Sequence, residues 1–127
     1  MAVPIIAIPN SNPNSHDGSL RYFPRAVQSG IVDLDLLTEQ ISTSTTLTEA
    51  DCQAVVYSLV HHISKSLQDG NIVRLGHLGS FQISVKGTGS AAPHEVSTKN
   101  ITSASIIYRP GPRLKKLLKN LVYKQKR

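Results

Sequence analysis

The sequence predicts an α+β fold: two N-terminal helices, an antiparallel β-sheet with a long hairpin arm, and a C-terminal helix. Three observations predict it. Cys52, Val55, Val56, Leu59, Ile63 and Leu67 recur at three- and four-residue steps, the period of an amphipathic helix. Phe81, Ile83 and Val85 alternate with polar residues, as on a strand with one apolar face. Leu114, Leu117, Leu118 and Leu121 form a second helical stripe near the C terminus, with Lys115, Lys116 and Lys119 lying off it.

The elements follow in order. Residues 1–30 read as an extension: a short edge strand over Val3–Ile8, with prolines at its ends, then a loop rich in Asn, Ser, Pro and Gly from Asn10 to Ser19. In the run Arg21-Tyr22-Phe23-Pro24-Arg25, the aromatics are expected to pack on the body of the protein, and the two arginines are free to touch phosphate. A first helix is predicted over Leu34–Ser42, capped by Asp33 or Asp35, with Leu37 and Ile41 facing the core. The second helix opens on Thr48 with Asp51 three residues on, a capping box with Asp in place of Glu. It closes at Gly70. Val60 and Ala54 widen its stripe, which suits burial on more than one side.

A strand is then predicted over Ile72–Leu75, followed by a turn at Gly76-His77-Leu78-Gly79. Alternation is lost between Lys86 and Asn100, the predicted flexible arm, and returns weakly through Ile101–Tyr108. Pro112 suits the first position of the last helix. Residues 31–127 thus form the predicted folded domain.

Charge divides the chain. Residues 1–70 hold three Lys/Arg and seven Asp/Glu, for a net −4; residues 71–127 hold eleven Lys/Arg and only Glu95, for +10. A second half this basic points to a polyanionic partner. The single cysteine, Cys52, excludes an internal disulfide and fits a reducing compartment. Its place on the apolar stripe makes it a small core residue. The opening Met1–Pro9 has no basic region, and its apolar run is broken by Pro4 and Pro9, so neither a signal peptide nor a membrane anchor is expected.

The five histidines do not form a metal site, since His61 and His62 diverge by about 100° on a helix. Gly87-Thr88-Gly89 lacks the strand, lysine and helix of a phosphate loop. No catalytic triad or carboxylate pair is discernible, so neither enzymatic activity, a cofactor nor a small-molecule substrate is expected.

Two segments carry a family resemblance. Gly70-Asn71-Ile72-Val73-Arg74-Leu75-Gly76-His77-Leu78-Gly79-Ser80-Phe81 follows the second helix, and Tyr108-Arg109-Pro110-Gly111-Pro112-Arg113-Leu114-Lys115-Lys116-Leu117-Leu118 opens the last. In that order and at that distance they resemble the bacterial histone-like HU and integration host factor family, over roughly Ile31 to Lys124. The resemblance implies an intertwined homodimer with a shared core of Val55, Val56, Leu59, Ile63, Phe81 and Ile83. It also implies largely sequence-independent binding of double-stranded DNA in the bacterial nucleoid, in the cytoplasm.

The contacts expected from this resemblance and from the basic composition are Arg74, Lys86, Lys99, Arg109, Arg113, Lys115, Lys116 and Lys119, with the arm over about 86–100 entering the minor groove behind Pro93. Here the sequence departs from the family. The tip reads Ala91-Ala92-Pro93 where the family has Arg-Asn-Pro, and no Lys or Arg stands between Gly87 and Thr98. A minor-groove arm draws on cations to exploit the negative potential of the groove. The competing expectation is therefore a dimeric interaction module of the same fold with little or no DNA binding.

Overall fold

The computed structural model describes residues 1–11 and 20–126. Their order is β1 (Val3–Ser11), β2 (Leu20–Ala26), α1 (Leu34–Ser44), α2 (Glu49–Gln68), β3 (Val73–Arg74), β4 (Ser80–Gly87), β5 (Ile101–Arg109), α3 (Pro112–Lys119) and β6 (Tyr123–Gln125). The α+β class holds, but the strands form two three-stranded sheets rather than one. The central sheet is antiparallel, in the order β3-β4-β5, and the other runs β2-β1-β6.

The second sheet corrects the expectation of an edge strand over Val3–Ile8. β1 is its central strand, antiparallel to β2 and parallel to β6. The chain's two ends are thereby joined, and Lys124, expected in a basic tail, lies in a strand. Prolines are tolerated inside β1 because its neighbours barely overlap. β6 pairs with Val3–Ile5, and β2 with Ile5–Ser11. The Val27 amide donates to the Pro4 carbonyl at 2.8 Å. Antiparallel alternation then turns the nitrogens of Pro9 and Pro24 away from the β1–β2 ladder, where no donor is needed. Tyr22 and Phe23 lie on β2 and remain exposed instead of packing on the body. The expected linker falls largely at 12–19, outside the described residues, but Asn10 and Ser11 belong to β1.

The helices form where local chemistry places them. The Leu36 amide donates to Asp33 Oδ1 at 2.9 Å, which caps α1. At α2 the capping box is complete: the Asp51 amide donates to Thr48 Oγ1 and the Thr48 amide to Asp51 Oδ2. The Gly70 backbone, at φ 85°, ends the helix. α1 and α2 pack as a pair, burying Cys52 as expected. Leu37 and Ile41, expected in the core, are exposed, and the buried member of α1 is Thr38. The Thr38 hydroxyl donates to the Asp35 carbonyl at 3.0 Å, so its burial leaves no unpaired group.

Little of the apolar surface is covered within one chain. Among the described residues the buried hydrophobics are Cys52 and Leu67. The accessible surface is 10910 Å², whereas a closed monomer of 13.8 kDa would expose about 6600 Å². Val55 at 60 %, Ile83 at 43 % and Ile106 at 60 % exposure are typical of the uncovered residues. No helix among the described residues is long and apolar enough to cross a membrane.

Candidate nucleic-acid interface

Register sorts the central sheet into two faces. Paired residues share a face, and successive residues alternate. Phe81 pairs with Tyr108, Ile83 with Ile106 and Val85 with Ala104, which makes one face apolar. The end of α2 lies over it, where Ser64, Leu67 and Gln68 face Ile83 and Ile106 across an open cleft. On the opposite face Ser80 pairs with both Arg74 and Arg109, so Arg74, Ser80 and Arg109 form one row across the three strands. Along the same face Gln82 pairs with the half-buried Ile107, Ser84 with Ser105, and Lys86 with Ser103. Sequence reasoning named the cations but missed these serines. Their hydroxyls widen a polar surface that the same alternation would have revealed.

α3 is fixed beside this sheet by contacts to the Gly76–Leu78 turn. The Tyr108 hydroxyl donates to the Leu78 carbonyl at 2.7 Å. The rings of Phe81 and Tyr108 are in tilted contact, their centroids 5.2 Å apart. Gly79 holds φ 127°, and a Cβ there would strike the Arg109 carbonyl. Gly111 is held against the carbonyls of Gly76 and His77, with no room for a side chain. Pro112 then starts α3 with φ already suited to a helix. At 100° per residue, Lys115, Lys116 and Lys119 gather on one flank, opposite Leu114, Leu117 and Leu118, and Arg113 lies at the boundary. α3 ends at Lys119, short of Leu121. All seven of Arg74, Lys86, Arg109, Arg113, Lys115, Lys116 and Lys119 are exposed.

The arm differs from a long hairpin. Its strands stop at Gly87 and Ile101, with a register shift at Lys86/Gly87. The segment between them folds on itself through short 3-10 turns at Pro93–Glu95 and Thr98–Asn100. Asn100 ties it together. Its side-chain nitrogen donates to the Thr88 carbonyl at 3.0 Å and to Ser90 Oγ at 3.1 Å, while its Oδ1 accepts from the Ser97 amide at 2.8 Å. Pro93 is exposed at the start of a turn, not at the tip of a two-stranded ribbon, and Lys99 lies in the second turn.

The residues expected in a shared core lie on the uncovered apolar surfaces. Val55, Leu59 and Ile83 are exposed; Val56, Ile63 and Phe81 are half-buried. Among the described residues no three His, Cys, Asp or Glu side chains converge on a point suited to a metal ion.

No curated protein matches the chain in sequence. A crystal structure from Bacteroides vulgatus ATCC 8482, named a putative bacterial DNA binding protein, shares the fold with a TM-score of 0.70 at 10 % identity. The alignment covers 98 % of this chain and 47 % of that one, so the present chain spans about half the length of its structural relative. The turn between β3 and β4, the Tyr108-Arg109-Pro110-Gly111 junction and the basic α3 all fall within a family match over residues 1–126, and the chain belongs to that family, described as an HU domain fused to wHTH, Ig, or glycine-rich motif.

Proposed function

We propose that this chain is an architectural protein that binds double-stranded DNA as a homodimer, largely without regard to sequence. The observation that carries the reading is the cross-strand row Arg74–Ser80–Arg109 on a polar sheet face, opposite an apolar face left open in the single chain. The two faces have separate tasks. The polar face and the basic flank of α3 meet backbone phosphates, where each neutralised phosphate releases a counterion. The apolar face, with Val55, Val56, Leu59 and Ile63 of α2, takes a second copy of the chain. Burying those side chains offsets the chain's otherwise large exposed apolar surface.

Phosphate contacts hold a protein on the duplex but carry no sequence information, which is why the binding is unselective. HU-family membership and the fold shared with the Bacteroides protein support the same partner. Bending by arm insertion would have to start from a folded segment that carries Lys99 as its one Lys or Arg between Gly87 and Ile101. Binding in the bacterial nucleoid follows from this assignment.

Titration of a fluorescent duplex of about thirty base pairs across a salt series tests the reading. With about six phosphates neutralised, log K falls against log salt with a slope near −5. A slope near zero overturns it. The folded, neutral arm favours a second reading, a dimeric interaction module of the same fold. That reading requires no binding at low salt, and no greater retention on heparin than on a plain cation exchanger.

A further inference from the structure

The sheet β2-β1-β6 has its own sorted charge. Asn10 pairs with Arg21, Ile8 with Phe23 and Ile6 with Arg25, while Pro4 pairs with Lys124. These residues share one face. Lys126, whose amide donates to the Ile5 carbonyl at 3.0 Å, continues the alternation onto that same face. The opposite face holds Val3, Ile5, Ala7, Pro9, Tyr22, Pro24, Ala26, Tyr123 and Gln125, none of them charged. No residue of the three strands is acidic. Arg21, Arg25, Lys124 and Lys126 are all exposed.

Cations on an edge strand commonly serve only to deter edge-to-edge pairing. That task needs charge near the edge, on either face. It does not account for four cations on one face and none on the other, drawn from strands at opposite ends of the chain. Arg21 and Arg25 stand about 13 Å apart along β2, too far to share one phosphate. The face is also close along the chain to the basic helix already described. Lys119 closes α3, and Lys124 lies five residues further on in β6. At the same time the arm, where the family resemblance places cations, has few. In this chain the N-terminal sheet carries more cations than the arm.

We propose that the Arg21/Arg25/Lys124 face is a second contact surface for the phosphate backbone of duplex DNA, lengthening the footprint beyond the central sheet and α3. This rests on the DNA-binding reading above. The partner is a duplex and not a single strand, because Phe23 is the only aromatic on this face among the described residues, whereas unselective single-strand binding uses successive stacking platforms.

The test compares the full-length wild type with R21A/R25A/K124A and with the charge-keeping R21K/R25K, on a duplex of about forty base pairs and on a single strand of equal length, across a salt series. Thermal melts establish that each variant is folded. The alanine variant is expected to bind the duplex with a salt slope shallower by about 3, at about 0.9 for each of the phosphates no longer neutralised, and R21K/R25K is expected to keep the wild-type slope. An unchanged slope in the alanine variant, with the wild type binding normally, overturns the second surface and leaves the DNA-binding reading intact. A loss confined to the single strand overturns the choice of duplex. A wild type that binds no duplex at low salt overturns both.

Discussion

The hydroxyl of Tyr108 donates to the Leu78 carbonyl at 2.7 Å, across thirty residues of sequence, and fastens the last residues of β5 to the turn that carries α3. With the Ser80–Arg109 and Phe81–Tyr108 strand pairs, this bond ties the two sequence motifs of the family resemblance to each other. Tyr108→Phe keeps the ring against Phe81 and removes only the donor. The site is partly exposed, so water re-satisfies the carbonyl, and the expected loss is about 1 kcal/mol in a urea titration. Wild-type stability in the variant would show that the junction holds without the hydroxyl.

Gly111 gives a sharper prediction. A Cβ there collides with the carbonyls of Gly76 and His77, which are backbone atoms and cannot swing aside. Gly111→Ala should cost more than about 2 kcal/mol and loosen α3. Gly89→Ala is the matched control, since an added Cβ at Gly89 meets nothing within 4 Å. Equal denaturation midpoints for the two variants would contradict the tight approach.

The salt slope apportions the cations of the proposed interface. R74A/R109A removes both ends of the cross-strand row, and K115A/K116A/K119A strips the flank of α3. Each should weaken every duplex sequence alike and make the slope shallower by roughly 0.9 for each phosphate left without its cation. A change limited to certain sequences would mean base readout, contrary to the assignment. Since these side chains are exposed, neither variant should shift the melting temperature greatly.

Much of this architecture was legible in the sequence where the determinants are local. The Thr48–Asp51 box, the period of Cys52 to Leu67 and the stop at Gly70 lie within one stretch, and α2 forms there. Arg74 and Arg109 were legible as charges, and their alignment on one row through Ser80 follows from register. The second sheet was not legible. β6 has three residues and pairs in parallel with a strand at the far end of the chain, and Pro4 and Pro9 argued against a central strand there. The arm misled for a related reason. Gly, Ser, Ala and Pro reveal the loss of strand pattern but not the Asn100 bonds that gather the loop. Leu37 and Ile41 carry the right period for burial, yet the sequence period does not say whether the covering surface comes from the same chain.

Association should fail when the open apolar face is charged. Ile83 and Ile106 are paired neighbours on that face, and both are exposed in the single chain. In the proposed dimer, Ile106→Asp places an unpaired carboxylate in the interface, at a cost of several kcal/mol. Sedimentation should find the wild type dimeric and the variant monomeric or unfolded at equal concentration. Lys99→Asp, also a charge change but in the arm, should leave the dimer intact. A monomeric wild type would refute the shared core.

The arm supplies the last prediction, which separates gripping from bending. Asn100 is bonded to Thr88, Ser90 and Ser97, so Asn100→Ala opens the loop, at about 1 kcal/mol for partly exposed hydrogen bonds. If the folded arm stays clear of the duplex, neither Asn100→Ala nor Pro93→Ala changes affinity or the end-to-end distance of a doubly labelled duplex. Insertion of a proline wedge predicts a different result: Pro93→Ala would lengthen that distance, because an unkinked duplex is straighter. The energetic reason favours the first outcome. Unstacking a base step costs a few kcal/mol, recovered when bending brings more protein surface and charge onto the DNA. With Lys99 as the only Lys or Arg between Gly87 and Ile101, the arm has little with which to recover it.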